Sequence, residues 1–303
     1  MEIIITGGAG FIGSELAKRL QENHSVKVVD NLSSGTKKNI PEKVSFTQLD
    51  IKDRESVLES FEGADVVFHF AANPVVSVFP GDREKDFEEN LKGTKNVLDA
   101  CIEKNVNELV FASSSVVYGE DAEIPTPETA DFDPISMYGA TKSGAEHILK
   151  VYSQSFDLDL TIVRYANIVS GKNPKGVTYD FVNKLEENPE KLTILGNGKQ
   201  KKSYLYIDDT VEATLKAWKS DKEIFNIGSE DSIDVDGIAE IVAEEMSLNP
   251  EFEYTGGEKG WKGDVPEMRL DISKLKNEGW KPENSSEESI RKTVRELIEK
   301  KEN

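Results

Sequence analysis

The stretch EIIITGGAGFIGSELAKRL, residues 2–20, decides how the rest of the chain is to be read. Ile3, Ile4 and Ile5 form a continuous β-branched run, the pattern of a strand buried on both faces. Gly7, Gly8 and Gly10 interrupt it, and from Phe11 the residues follow the spacing of an amphipathic helix. Three of the glycines are spaced Gly7-x-x-Gly10-x-x-Gly13. A strand, a glycine turn and a helix N-terminus together make a seat for a pyrophosphate. Backbone N–H groups point outward there, the helix dipole favours negative charge, and missing side chains let a ligand approach the backbone.

A structural turn would explain the glycines alone, but the context goes further. SVKVVDNLSSG predicts a second strand ending in Asp30, seventeen residues after Gly13. A carboxylate at that point can accept hydrogen bonds from the adenosine ribose hydroxyls and would repel a 2′-phosphate. No arginine lies near it in sequence, so NAD is expected rather than NADP. KVSFTQLD predicts a strand ending at Asp50, which with Ile51 is a candidate neighbour of the adenine. ADVVFHFAAN predicts another buried strand, whose small residues Ala71 and Ala72 let the chain pass close to the cofactor. Helical periodicity runs from Glu84 to Lys104, followed by ELVFASSS and DLTIVRYAN as strands. This alternation predicts an α/β fold with a doubly wound parallel (Rossmann) sheet.

Composition narrows the class. The 303 residues suffice for one large domain or two smaller ones. The formal charge is −20, from 57 acidic and 37 basic residues, which argues against nucleic acid as a partner. The acidity reads as a solvated surface or as adaptation to a salty cytoplasm. No apolar run reaches membrane-spanning length and the N-terminus lacks signal-peptide features, so no membrane partner and a cytoplasmic location are expected. One cysteine, Cys101, and three histidines at no recognised spacing predict neither an internal disulfide nor a metal site.

SMYGATK, residues 136–142, places Tyr138 and Lys142 four apart, on one face of a predicted helix. An ammonium near a phenol favours the phenolate, so this pair can act as a base. Tyr-x-x-x-Lys also occurs by chance on surface helices. FASSSVVYG places Ser113, Ser114 and Ser115 at a strand's carboxyl end, the edge where open α/β sheets bind ligands. A hydroxyl, a phenol and an ammonium meeting over a nicotinamide would serve hydride chemistry on an alcohol.

With these residues in view, the chain resembles the extended short-chain dehydrogenase/reductase family of nucleotide-sugar enzymes, and within it the archaeal UDP-glucose 4-epimerases. The likeness runs almost end to end, through TGGAGFIGS, VVDNLSSG, VVFHFAANP, VFASSSVVYG, PISMYGATK, VRYANIVSG, YDFVNKL, KSYLYIDD and GWKGDVPEM. The resemblance implies Tyr138 as catalytic base, Lys142 as its electrostatic partner and ribose ligand, and Ser114 as the hydrogen-bonding hydroxyl. Ser114 stands five residues before Gly119, where the family's active Ser or Thr stands, with Ser115 the competitor. It extends the cofactor contacts to Phe11, Ile12, Asn31, Ser33, Gly35, Phe70, Asn90 and Tyr165. On the substrate side it implies Asn167 at the sugar-nucleotide diphosphate and LTILGNGKQKKSYLYIDD around the uridine. Lys202 and Lys259 stand where relatives usually carry diphosphate-binding arginines, and lack the bidentate fork. Met268 replaces a bulky tyrosine found in some epimerases, which suggests tolerance of 2-acetamido sugars.

The implied reaction is inversion of C4 of a UDP-hexose through a 4-keto sugar, with NAD as transient hydride acceptor. The dehydratases' acid pair and the decarboxylases' glutamate are replaced by Ser115 and Val116, which argues against both eliminations. A UDP-N-acetylhexosamine or UDP-pentose epimerase, an NAD-dependent dehydrogenase and a non-catalytic NAD or sugar-nucleotide sensor are the alternatives. The expected organisation is an NAD-binding domain over 1–165 and a smaller substrate lobe over 166–303, with 224–228 returning to the first. A homodimer is implied by the resemblance, through the helices expected at 84–104 and 135–156.

Overall fold

A computed structural model describes residues 1–75, 80–221, 223–260 and 263–302; Trp261 and Lys262 of the GWKGDVPEM motif lie outside them. The chain opens with β1 (Glu2–Thr6), α1 (Phe11–Leu20), β2 (Ser25–Asp30), β3 (Ser45–Gln48), α2 (Arg54–Ser60) and β4 (Val66–His69). Next come α3 (Pro80–Lys85), a π-helix (Asp86–Gly93), α4 (Thr94–Glu103), β5 (Glu108–Ser114), α5 (Met137–Ser155) and β6 (Asp159–Tyr165). The later part holds β7 (Asn167–Val169), α6 (Val177–Glu187), β8 (Lys191–Ile194), β9 (Lys201–Lys202), β10 (Tyr204–Tyr206), α7 (Ile207–Trp218) and β11 (Ile224–Ile227). It ends with β12 (Ile233–Asp234), α8 (Val235–Glu245), β13 (Glu251–Tyr254), β14 (Glu267–Met268), α9 (Ser273–Asn277) and α10 (Ser286–Glu302).

Seven strands form one sheet in the order β11-β6-β5-β4-β1-β2-β3. The pairings of β1 with β2 and β4, of β2 with β3, and of β4 with β5 are parallel. Strand order therefore reverses between β1 and β4, and in such sheets the crevice at the carboxyl ends of those strands is the ligand site. Ile3, Ile5, Val28, Val66 and Val67 are almost wholly buried, as a sheet covered on both faces requires. On one face Val57, Val97, Leu98, Cys101, Phe111 and Leu149 pack into a single core.

By contacts, Met1–Gly119, Phe132–Arg164 and Thr214–Phe225 form one compact unit. Glu120–Asp131, Tyr165–Ala213 and Asn226–Asn303 form the other. The chain passes from one unit to the other after Gly119, Asp131, Arg164, Ala213 and Phe225. In the second unit α6, α8 and α10 enclose Phe181, Leu185, Ile238, Val242, Ile290 and Val294, with Leu192 and Ile194 from β8. Its strands pair in small sheets, β7 with β10, β8 with β13, and β9 between β12 and β14.

The stretch expected as one helix from Glu84 to Lys104 is interrupted by the π-helix. Both Asp86 and Asn90 are fully buried there, and Asn73 Nδ2 donates to Asp86 Oδ1 at 2.9 Å. A widened turn of this kind is a common device at functional sites, and a 3.6-residue periodicity does not reveal it.

Candidate active site

The glycine turn is shaped as the spacing predicts. Gly7 has φ +71°, and a Cβ there would lie 2.6 Å from the Ala71 nitrogen, so β1 and the chain leaving β4 touch backbone to backbone. Gly10 is the N-cap of α1 and offers no capping side chain, and the first turn, Phe11, Ile12 and Gly13, carries no acidic residue. First-turn N–H groups of a helix have no partner within it. The cradle therefore fits a pyrophosphate.

Asp30 is buried at the end of β2 and held on both oxygens. Ala9 N–H donates to Oδ2 at 3.0 Å and Leu32 N–H to Oδ1 at 2.7 Å. A carboxylate has about four acceptor sites, so it retains capacity for ribose hydroxyls. Leu32 takes the left-handed conformation, φ +62°, between Asn31 and Ser33; nothing in the sequence pattern signals it. Asn31 Nδ2 donates to Asp50 Oδ2 at 3.1 Å, and Asn31 Oδ1 accepts from Ser33 N–H at 2.9 Å. Gly35 lies against Ala9, with no room for a Cβ. Ile51 is buried in the core beneath, pressed on Gly93. Phe70, Ala71 and Ala72 leave β4 half-buried, and Tyr165 ends β6 buried.

The three serines separate into different tasks. Ser113 turns inward and donates to Glu146 Oε1 at 2.5 Å. Ser114, half-buried, hydrogen-bonds the Tyr138 phenol and also caps the short 3₁₀ turn Ser115–Val117. Ser115 is buried within that turn. Tyr138 and Lys142 lie one turn apart on α5, whose N-cap Ser136 accepts from Gly139 N–H at 3.1 Å. A Cβ on Gly139 would lie 2.7 Å from the Val116 carbonyl oxygen, so the glycine seats the helix against the serine turn.

The electrostatics differ from the simple expectation. The Tyr138 phenol is pushed up to about 12, first by burial and then by the Asp86 carboxylate, with the Ser114 hydrogen bond opposing. The Lys142 ammonium donates to the Ala112 carbonyl at 2.8 Å and stands 5.9 Å from the Tyr138 ring centre. Aimed at the end of β5, it does not offset the burial of the phenol. Burial pulls Lys142 down to about 8, against the opposing pull of Glu146 and Asp86. Glu146, the next turn of α5, is fully buried and takes hydrogen bonds from Arg164 Nε at 3.0 Å and Nη2 at 2.6 Å. Arg164 also donates to the Tyr118 hydroxyl at 2.7 Å. Glu146 stands four residues after Lys142, a spacing that could have drawn attention to it; its arginine could not be found that way.

In the second unit Asn167 Nδ2 donates to the Ser203 carbonyl at 3.1 Å. Lys202 and Met268 are register partners on β9 and β14. Lys202 Nζ contacts Asp264 Oδ1 at 2.5 Å, and Gly260 N–H donates to Asp264 Oδ2 at 3.1 Å. Lys259 pairs with Glu120. Asp264 thus ties Lys202 to the loop carrying Lys259, a role invisible from sequence.

A glycine cradle, a fixed ribose-side carboxylate and a Ser–Tyr–Lys set beside the sheet's switch point define a dinucleotide-dependent enzyme acting on an alcohol. Residues 3–228 match the NAD dependent epimerase/dehydratase family, and the chain belongs to it. It is 34% identical over 299 residues to a Methanocaldococcus jannaschii protein provisionally named UDP-glucose 4-epimerase, covering 96% of this chain and 97% of that one. A crystal structure of a UDP-galactose 4-epimerase superposes with TM-score 0.91 at 42% identity, over 99% of each chain. A UDP-glucose 4-epimerase from Thermotoga maritima, solved with UDP-glucose, gives TM-score 0.92 at 33% identity over 100% of each chain.

Proposed function

We propose that the protein interconverts UDP-glucose and UDP-galactose by inverting C4, with NAD as its cofactor. The observation that carries this is the meeting of Ser114, Tyr138 and Lys142 at the carboxyl end of β5, in the same sheet whose β1 leads into the glycine cradle, in a chain of this family. The cradle of Gly7, Gly10 and Gly13 with Asp30 would hold the dinucleotide, flanked by the side chains that line the ends of β2 and β4. When bound, NAD supplies a reversible hydride acceptor and a positive ring beside the phenol. Tyr138 Oη takes the proton of the sugar 4-hydroxyl and later returns it. Tyr138 must first lose its own proton, and Lys142 would favour that phenolate by turning from the Ala112 carbonyl toward it, while Ser114 keeps the 4-oxygen in line for transfer. Ser115 and Val116 provide no acid or base for elimination, which favours return of the hydride over loss of water or carbon dioxide.

We assign cofactor binding mainly to the first unit and the sugar nucleotide mainly to Asn167, Lys202, Lys259 and Met268 of the second. Met268, slim and flexible, supports acceptance of N-acetylated substrates. A homodimer through the π-helix and α5 is supported by large apolar side chains left exposed there: Phe87 at 51%, Val151 at 59% and Phe156 at 47%. A cytoplasmic enzyme of galactose metabolism fits the single reduced cysteine. Among the described residues no helix is long and apolar enough to cross a membrane. Proton NMR of UDP-glucose with the purified protein tests the activity: the UDP-galactose anomeric signal should grow to a steady ratio. No change, even with NAD supplied, would overturn it.

A further inference from the structure

A buried chain of hydrogen bonds runs from the phosphate-loop strand to the backbone of Tyr138. Ala71 N–H donates to Thr6 Oγ1 at 3.3 Å, and Thr6 Oγ1 lies 2.7 Å from His69 Nδ1. His69 Nε2 lies 3.0 Å from Thr94 Oγ1, which donates to the Asn90 carbonyl at 2.6 Å. Asn90 Nδ2 donates to Thr141 Oγ1 at 3.1 Å, and Thr141 donates to the Tyr138 carbonyl at 3.0 Å. Thr6, His69, Asn90, Thr94 and Thr141 are all at most 2% exposed, so water does not compete.

Donor and acceptor counting gives every link a direction. Thr94 spends its one proton on Asn90, so its oxygen must accept from His69 Nε2–H. The neutral ring then carries no proton on Nδ1, which accepts from the Thr6 hydroxyl. Asn73 N–H, a donor only, faces Asn90 Oδ1 at 2.9 Å and fixes that amide's orientation. No alternative arrangement satisfies all these groups, and a misdirected link would leave a buried polar atom unpaired.

We propose that His69 and Thr94 are positioning residues for Tyr138, holding the catalytic helix in register with the strand that carries the phosphate loop. The chain joins β1, β4, the π-helix with the start of α4, and α5, which lie far apart in the sequence. Burial, aided by the Lys142 charge, pulls His69 down to about 3, so the ring stays neutral and the direction of the links does not change near neutral pH.

The consequence for turnover rests on the activity proposed above. Thr94→Val cuts the chain at both Nε2 and the Asn90 carbonyl and should lower kcat roughly tenfold, the scale of one misaligned buried hydrogen bond. KM for the UDP-sugar and the bound cofactor content should stay as in wild type. Thr94→Ser keeps the hydroxyl and should restore kcat. Thr141→Val cuts the far end and should reproduce the loss. Nitrogen NMR of the wild-type imidazoles should show His69 protonated on Nε2 and unchanged between about pH 5 and 9. Full kcat in Thr94→Val and Thr141→Val, or a His69 ring protonated on Nδ1, overturns the inference. Wild type failing to turn over any UDP-sugar would defeat the activity while leaving the tautomer measurement to decide the chain.

Discussion

The surroundings of Tyr138 and those of Lys202 hold charged groups by opposite means. Around Tyr138 the polar groups are buried and partnered by backbone, threonines and amides, and a buried ion pair, Glu146 with Arg164, lies two turns further along α5. Around Lys202 a cation is held directly by a carboxylate, with the lysine side chain 23% exposed and Asp264 at 7%. Lys259 and Glu120 repeat that arrangement in a more exposed setting. Buried partners cannot be exchanged without leaving an orphan, whereas the part-exposed lysine can exchange its carboxylate for a ligand phosphate while Asp264 keeps the Gly260 N–H. The first arrangement suits chemistry that needs fixed atoms, the second a charged ligand that must enter and leave.

The sharpest way to break this contrast is at the phenol. Tyr138→Phe should lower turnover by at least about a thousandfold, since general acid–base groups supply roughly that much. Cofactor content, read from the absorbance of released nucleotide, should be unchanged. Arg164→Met should destabilise the fold by about 3–5 kcal/mol in denaturant unfolding, because Glu146 would be left charged and buried. Adding Glu146→Leu to that variant should recover most of the loss; no recovery would mean that shape rather than charge holds this region.

Lys142 provides a test of sign. Its value in the folded protein, about 8, lies below its ordinary 10.5. The buried ammonium therefore costs stability below about pH 8, and the cost fades as pH rises toward 10.5. Lys142→Met should abolish turnover yet raise Tm at neutral pH, by a stability gain on the order of 1–3 kcal/mol. That gain should vanish above the ordinary lysine value. A lower Tm at pH 7 would show that the bond to Ala112 outweighs desolvation.

The smallest effects belong to the second unit. Lys202→Met should raise KM for the UDP-sugar by about tenfold through loss of a phosphate contact. Asp264→Asn, which releases the lysine from its carboxylate, should lower KM by about two- to threefold and move Tm little. Equal KM in both variants would remove Lys202 from the ligand.

Several features are legible in the amino-acid sequence for a common reason: they are local. The β1–turn–α1 unit, Asp30 at the end of β2, and Tyr138 with Lys142 on one helical face each depend on spacing within a few residues. The choice of Ser114 over Ser115 rests on the family resemblance and the spacing to Gly119, and Ser114 is the serine whose hydrogen bond opposes the upward shift of the Tyr138 phenol. The expected lowering of Tyr138 by Lys142 is absent, because sequence shows that two groups are near but not where the ammonium points or how dry the site is.

By itself, then, the sequence determined the doubly wound sheet, the glycine turn and the placing of Tyr138 and Lys142 on one helical face, since periodicity, glycine spacing and helix pitch are properties of the chain taken a few residues at a time. Only the tertiary structure decided which partner each of these groups would keep. Arg164 meets Glu146, Asp264 meets Lys202, and His69 joins Thr6 to Thr94 across long separations in the chain. Such pairings are selected by the need to satisfy every polar group that packing removes from water, and that need arises only once distant segments have been brought together.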